Sequence, residues 1–139
     1  MKRKPDPETR RTVLRRDGWK CIICGRDIDT SWSGYSIHHR RMRSQGHDYD
    51  NLHEPVNLLT LCGSGTTGCH GWVHAHPERA YQLGYLVHMH DDPANQPVYY
   101  WRHGWQQLNL DGTRLPATPP PVQTSHIPSV KNTKEGNQK

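Results

Sequence analysis

The chain has 139 residues, enough for one domain with tails and too few for two of ordinary size. Leu, Ile and Val total 22 and Phe is absent, so burial of apolar surface alone cannot readily offset the chain entropy lost on folding. The net charge is +5, and residues 1–43 carry twelve Lys/Arg against five Asp/Glu; this basic third suits a phosphate backbone or an anionic membrane surface, while no apolar run approaches the ~20 residues of a membrane span.

Residues 1–7, charged and with two prolines, read as a basic N-terminal arm. Glu8 to Asp17 is rich in helix formers, with Val13 and Leu14 as its apolar contacts and Gly18 as a stop. Cys21-Ile-Ile-Cys24-Gly25 has the form of a tight metal knuckle. Residues 35–41 favour a strand, and a polar loop follows from Ser44 to Pro55. Asn57 to Cys62 is a short apolar run ending in a Gly-rich turn. A helix is expected from about His70 to Leu83, kinked or broken near Ala75–His76 because Pro77 interrupts it. Two strand-like stretches, Tyr85–His90 and Val98–Trp101, precede an Asp111-Gly112 turn. Residues 8–115 are read as the domain, with its core motif over 19–83, and 116–139 as a disordered Pro/Thr-rich tail. No secretory h-region follows Met1, so the expected compartment is the cytoplasm, where cysteine clusters more often bind metal than form disulfides.

Cys21, Cys24, Cys62 and Cys69 form two pairs, spaced x2 and x6. Four thiolates suit a structural zinc, because soft sulfur matches the ion and four of them close its tetrahedral shell. Such a site supplies folding energy that the thin core lacks, roughly 10–16 kcal/mol in small zinc peptides. A redox Cys-x-x-Cys, unpaired buried cysteines and a mixed site using His70 are the alternatives.

His38, His39, Asn57, His70 and His74 lie between and just after the cysteine pairs. His70 and His74, four apart, share one face of a helix and can grip one cation. Adjacent residues on a strand face opposite ways, so His38 and His39 act together only if the strand bends or ends there. Imidazoles beside a basic surface suit phosphodiester hydrolysis: one neutral histidine takes a proton from water while a metal stabilises charge on phosphate.

These motifs together resemble the HNH endonuclease family, in particular its small phage members with a four-cysteine zinc site. The resemblance covers about residues 19–76. It implies an α+β fold: a zinc-stabilised ββα-metal (His-Me finger) unit with a flanking helix and strands. It implies that His39 is the general base, that Asn57 orients it, and that His38, His70 and the extra helix residue His74 ligate a catalytic divalent ion (Mg²⁺, Mn²⁺, Ni²⁺ or Zn²⁺). The products expected are a 5′-phosphate and a 3′-hydroxyl. The partner is DNA, held mainly through its phosphates, and for a phage protein in the host cytoplasm also the terminase, in DNA packaging or maturation. Many members have Pro shortly after the first histidine and a closer second cysteine pair; here stand Arg40-Arg41 and Cys-x6-Cys. Arg40, Arg41 and Arg43, with Arg11 and Arg15 on the first helix, are the expected phosphate contacts.

A non-catalytic zinc module that binds DNA would use the same cysteines and arginines without needing His38, His39, Asn57 and His70 together. A zinc deaminase is disfavoured, because its His-x-Glu and Pro-Cys-x-x-Cys motifs are missing.

Overall fold

The basic N-terminal segment turns into helix α1, Pro7–Arg16, earlier than its charge pattern suggests. The Asp6 carboxylate caps it by accepting from Thr9 N–H at 2.8 Å, and Pro7 occupies the first turn, where its missing N–H costs nothing. Of the expected arm over residues 1–7, Asp6 and Pro7 belong to the helix start and Pro5 is buried, while residues 1–3 lie outside the described residues. The computed structural model describes residues 4–32, 34–42 and 52–120. Within them the chain is a mixed α+β fold of three helices and two small antiparallel sheets.

Strand β1, Tyr35–His39, pairs antiparallel with β2, Leu58–Cys62, in a register running from Tyr35 opposite Cys62 to His39 opposite Leu58. Every residue of β2 is buried. Its second edge is closed without a third strand: Thr60 N–H donates to the Asp17 carboxylate at 3.1 Å, Thr60 O accepts from Ile22 N–H at 3.1 Å, and Leu58 O accepts from Arg16 at 2.6 Å. The Cys21–Cys24 segment is thus laid alongside the strand that ends in Cys62.

The Arg16–Asp17 pair is buried, with side-chain exposures of 1% and 0%. Asp17 accepts from Arg16 Nε at 2.8 Å, Arg16 Nη2 at 3.0 Å and the Tyr100 hydroxyl at 2.6 Å. Burial opposes the Arg16 charge, but the carboxylate beside it outweighs that and holds the guanidinium above its usual range. One polar network therefore ties α1, β2 and the C-terminal sheet.

Beyond β2, the helical stretch expected from about His70 to Leu83 is broken where Pro77 predicts, into α2 (Gly68–Ala75) and α3 (Pro77–Leu83), and it starts two residues earlier, at Gly68. The break falls at His76, whose φ of −131° and ψ of 62° lie outside the helical region; the residue before a proline is pushed out of it. The strand expected at Tyr85–His90 does not form. Tyr85 and Leu86 N–H both turn back to Ala80 O at the helix end, and Val87 N–H goes to Arg40 O, which leaves no ladder to extend. Strands β3 (Val98–Tyr100), β4 (Gly104–Leu108) and β5 (Arg114–Pro116) form the second sheet, with β4 central. Pro116 closes β5 and Ala117 N–H donates to Trp105 O at 3.0 Å, so the first two residues of the expected tail are held by the sheet; residues 121–139 lie outside the described residues.

Asp17→Asn should lower the free energy of unfolding by about 3–5 kcal/mol, because it leaves the Arg16 charge buried without its counter-ion. The midpoint of a urea titration followed by circular dichroism measures this.

Candidate metal centres

The four cysteines are free thiols whose sulfurs lie within 4.8 Å of one another. Cys24 Sγ and Cys62 Sγ are 3.7 Å apart. That is far from the ~2.05 Å of a disulfide and close to the ~3.8 Å edge of a tetrahedron whose sulfurs sit about 2.3 Å from a shared ion. The knuckle is closed by Gly25 N–H donating to Cys21 O at 2.9 Å and Cys21 N–H donating to Arg26 O at 2.8 Å. Gly25 takes φ +80°, and a Cβ there would fall 2.5 Å from the Trp101 ring packed on it. The long x6 spacing of the second pair is absorbed by a turn in which Ser64 and Thr67 exchange backbone hydrogen bonds. Gly63 and Gly68 approach each other so closely there that a Cβ on Gly68 would lie 2.8 Å from Gly63 Cα. Cys69 returns beside Cys62, with Cys69 N–H 3.4 Å from the Cys62 sulfur.

Burial opposes ionisation of Cys62, but hydrogen bonds from Cys69 and the other thiols outweigh it and hold that thiol below its usual value. Burial pushes the Cys21 thiol up to about 11 and Cys69 higher still. Four sulfurs so placed could bind a metal ion, whose charge reverses this preference for protons.

A second cluster gathers His38, His70 and His74, each with a ring nitrogen within 4.8 Å of the others. On α2, His70 Nε2 and His74 Nε2 are 3.1 Å apart, near the ~3.3 Å expected of two imidazole nitrogens about 2.05 Å from one tetrahedral ion. His38 is 1% exposed, and its Nε2 lies 2.7 Å from Tyr85 O. A carbonyl only accepts, so Nε2 carries the proton and Nδ1 is left as a lone pair. That Nδ1 is buried and has no hydrogen-bond partner among the described residues. Burial pulls the His38 imidazole down to about 3, and burial together with His74 pulls His70 down to about 4, so both are neutral, as a metal ligand must be. The orphaned lone pair beside two more imidazole rings is a donor set that fits a divalent cation.

His39 ends β1, which frees it from strict strand alternation, and it lines the same cleft of about 280 Å³ as His38, His70 and His74, over apolar Ile37, Met42 and Leu52. The Asn57 side chain makes no hydrogen bond to the His39 ring. It is buried and spent on backbone: Oδ1 accepts from Arg41 N–H at 2.7 Å, and Nδ2 donates to Arg41 O at 3.1 Å and Leu52 O at 2.9 Å. One contact on that ring comes from His53, whose Nδ1 is 3.0 Å from His39 Nε2. Sequence spacing marks His53 only as an ordinary histidine of the loop; the one available signal is Pro55, which starts the 3-10 turn Pro55–Asn57 that folds the segment back.

The expected phosphate contacts divide. Arg40 is corrected: it is 0% exposed, and its guanidinium donates to four carbonyls, Gly84 at 2.8 Å, Val56 at 2.7 Å, Pro93 at 3.1 Å and Gln96 at 2.7 Å. No carboxylate among the described residues pairs with it, and burial pulls it down to about 9. Arg41 spends one nitrogen on Asp91 O at 2.9 Å. Arg11 and Arg15 are exposed, one turn apart on α1, whereas Arg43 lies outside the described residues.

No protein-family model, curated protein or solved structure matches the chain. No helix among the described residues is long and apolar enough to cross a membrane.

Arg40→Lys keeps the charge but cannot reach four carbonyls at once. It should cost on the order of 2–4 kcal/mol in a urea titration, whereas Arg15→Lys should change stability by less than about 0.5 kcal/mol.

Proposed function

We propose that this chain is a metal-dependent DNA endonuclease of the HNH type, with a structural zinc on Cys21, Cys24, Cys62 and Cys69 and a catalytic divalent ion on His38, His70 and His74. The observation that carries the reading is the buried, unpartnered Nδ1 of His38 beside His70 and His74, in one cleft with His39. The order of elements supports it too: an antiparallel β1–β2 pair followed by α2, which bears two of the histidines, is the order of a ββα-metal unit.

When bound, the divalent ion supplies Lewis acidity toward a phosphate oxygen and the departing 3′ oxygen. The residues do the rest. Tyr85 O accepts from His38 Nε2 and so leaves Nδ1 as the ring's lone pair, the kind of outer contact that fixes a ligand's tautomer. His39, as general base, takes a proton from the attacking water, and the bond to the 3′ oxygen breaks to leave a 5′-phosphate. Arg11 and Arg15 on the open face of α1, with Arg41 and Arg43, track the phosphate backbone and add affinity without reading sequence.

Relaxation of supercoiled plasmid in the presence of Mg²⁺, Mn²⁺, Ni²⁺ or Zn²⁺, abolished by EDTA, tests the reading. His39→Ala should lower the cleavage rate by roughly 10²–10⁴-fold with DNA affinity and circular dichroism unchanged. His70→Ala should instead raise the ion concentration needed for half-maximal activity. If the wild-type chain binds DNA and never cuts it with any of these ions, a non-catalytic zinc-containing DNA-binding module replaces the nuclease.

A further inference from the structure

We infer that the groove between α1 and the β4–β5 turn is a phosphate site, in which Arg15 and Arg114 hold a phosphodiester of the DNA backbone. The cationic groove stands on geometry, and DNA as its occupant rests on the reading above.

The groove has a volume of about 560 Å³, with Thr12, Arg15 and Arg16 of α1 on one side and residues 111–114 on the other. Its far wall is fixed. Gly112 N–H donates to Asn109 O at 3.1 Å, Asn109 N–H donates to Thr113 O at 2.9 Å, and a Cβ on Gly112 would fall 2.3 Å from Thr12 Cγ2. No apolar side chain lines the space, so it suits an anion and not a base or an acyl chain.

Of the three arginines, Arg16 is neutralised by Asp17. Among the described residues, neither Arg15 nor Arg114 makes an ion pair. Arg15 is exposed, whereas Arg114 is half-buried and meets neutral groups. Its Nε donates to Arg16 O at 3.2 Å, its Nη1 donates to Gln106 Oε1 at 2.7 Å, and its guanidinium carbon lies 4.7 Å from the centre of the Tyr100 ring. Nη2 makes no hydrogen bond among the described residues and stays open to solvent. These contacts hold the planar group without cancelling its charge, and a guanidinium so held can meet a phosphate through paired N–H groups.

The carboxylate that lines the groove, Asp111, is spent on the turn. Its Oδ1 accepts from Thr113 N–H at 3.0 Å and from the Thr113 hydroxyl at 2.6 Å, and these bonds hold the carboxyl below its usual range. Two unpaired cations against one carboxylate leave the groove net positive. Arg11, exposed one turn before Arg15, extends the same cationic face along α1.

Fluorescence anisotropy of a short labelled DNA duplex, titrated with the zinc-loaded full chain over a series of NaCl concentrations, reads the groove without reference to cleavage. Wild-type affinity should fall with salt, and Arg15→Gln and Arg114→Gln should each flatten the slope by about one unit. Thr12→Glu, which sets a carboxylate into the groove, should weaken binding roughly tenfold or more at low salt. Arg26→Gln removes an exposed cation outside the groove and should leave the slope near the wild-type value. Circular dichroism checks each fold; because Arg114 also holds Arg16 O and Gln106, Arg15→Gln and Thr12→Glu decide the matter if Arg114→Gln unfolds. A slope unchanged in Arg15→Gln or in folded Arg114→Gln, an affinity indifferent to Thr12→Glu, or an equal loss of slope in Arg26→Gln would each overturn the groove and leave the nuclease standing. Groove-dependent binding by a chain that cuts no DNA would keep the groove and remove the nuclease, and a chain that binds no DNA would end both.

Discussion

Closing four sulfurs around one point is the constraint on which the rest of this structure depends. Cys21 and Cys24 sit on a knuckle, Cys62 ends β2 and Cys69 opens α2, so the cluster gathers three segments of the chain. The same closure orients the histidines. His70 is the next residue after Cys69 and His74 lies one turn further, so fixing the start of α2 fixes which face of the helix looks toward His38. The two clusters are mechanically linked through a single bond in the chain and through β2, whose residues run from Leu58 opposite His39 to Cys62 opposite Tyr35.

Arg40 complements the sulfurs from the other side. A buried cation paired only with carbonyl oxygens is an expensive arrangement, tolerable because its donors meet acceptors at good distances. What it achieves is to bring the α3 C-terminus at Gly84 and the turn near Pro93 and Gln96 against the end of β1. Tyr85, next to Gly84, then presents its carbonyl to His38. Arg40 is thus joined to the histidine cluster by contacts, although its side chain is not among the residues lining the cleft.

Much of this arrangement is legible in the sequence because it is local. The Cys-x2-Cys-Gly knuckle, the i, i+4 pair His70/His74 and the break before Pro77 come from residue spacing and backbone sterics alone. What spacing cannot reveal depends on contacts between distant segments. Arg40 reads as a surface cation until four carbonyls from three other segments surround it. Asn57 reads as a partner for the His39 ring, but the fold turns its amide toward Arg41 and Leu52. His53 lies in a polar loop whose pattern carries no sign of a ring partner fourteen residues upstream. The Tyr85–His90 stretch has the composition of a strand, yet its N–H groups are claimed by the end of α3 and by Arg40 before any ladder can form.

The central claim is that the chain holds two chemically distinct metal centres, one of sulfur and one of nitrogen, and zinc K-edge X-ray absorption tests it most directly. With one equivalent of zinc, the first shell should contain sulfur alone, at about 2.3 Å. A second equivalent should add only light ligands at about 2.0–2.1 Å, and this addition should vanish in His70→Ala while the sulfur shell remains. A mixed sulfur and nitrogen shell at the first equivalent, or a spectrum that does not change with the second, would contradict the account.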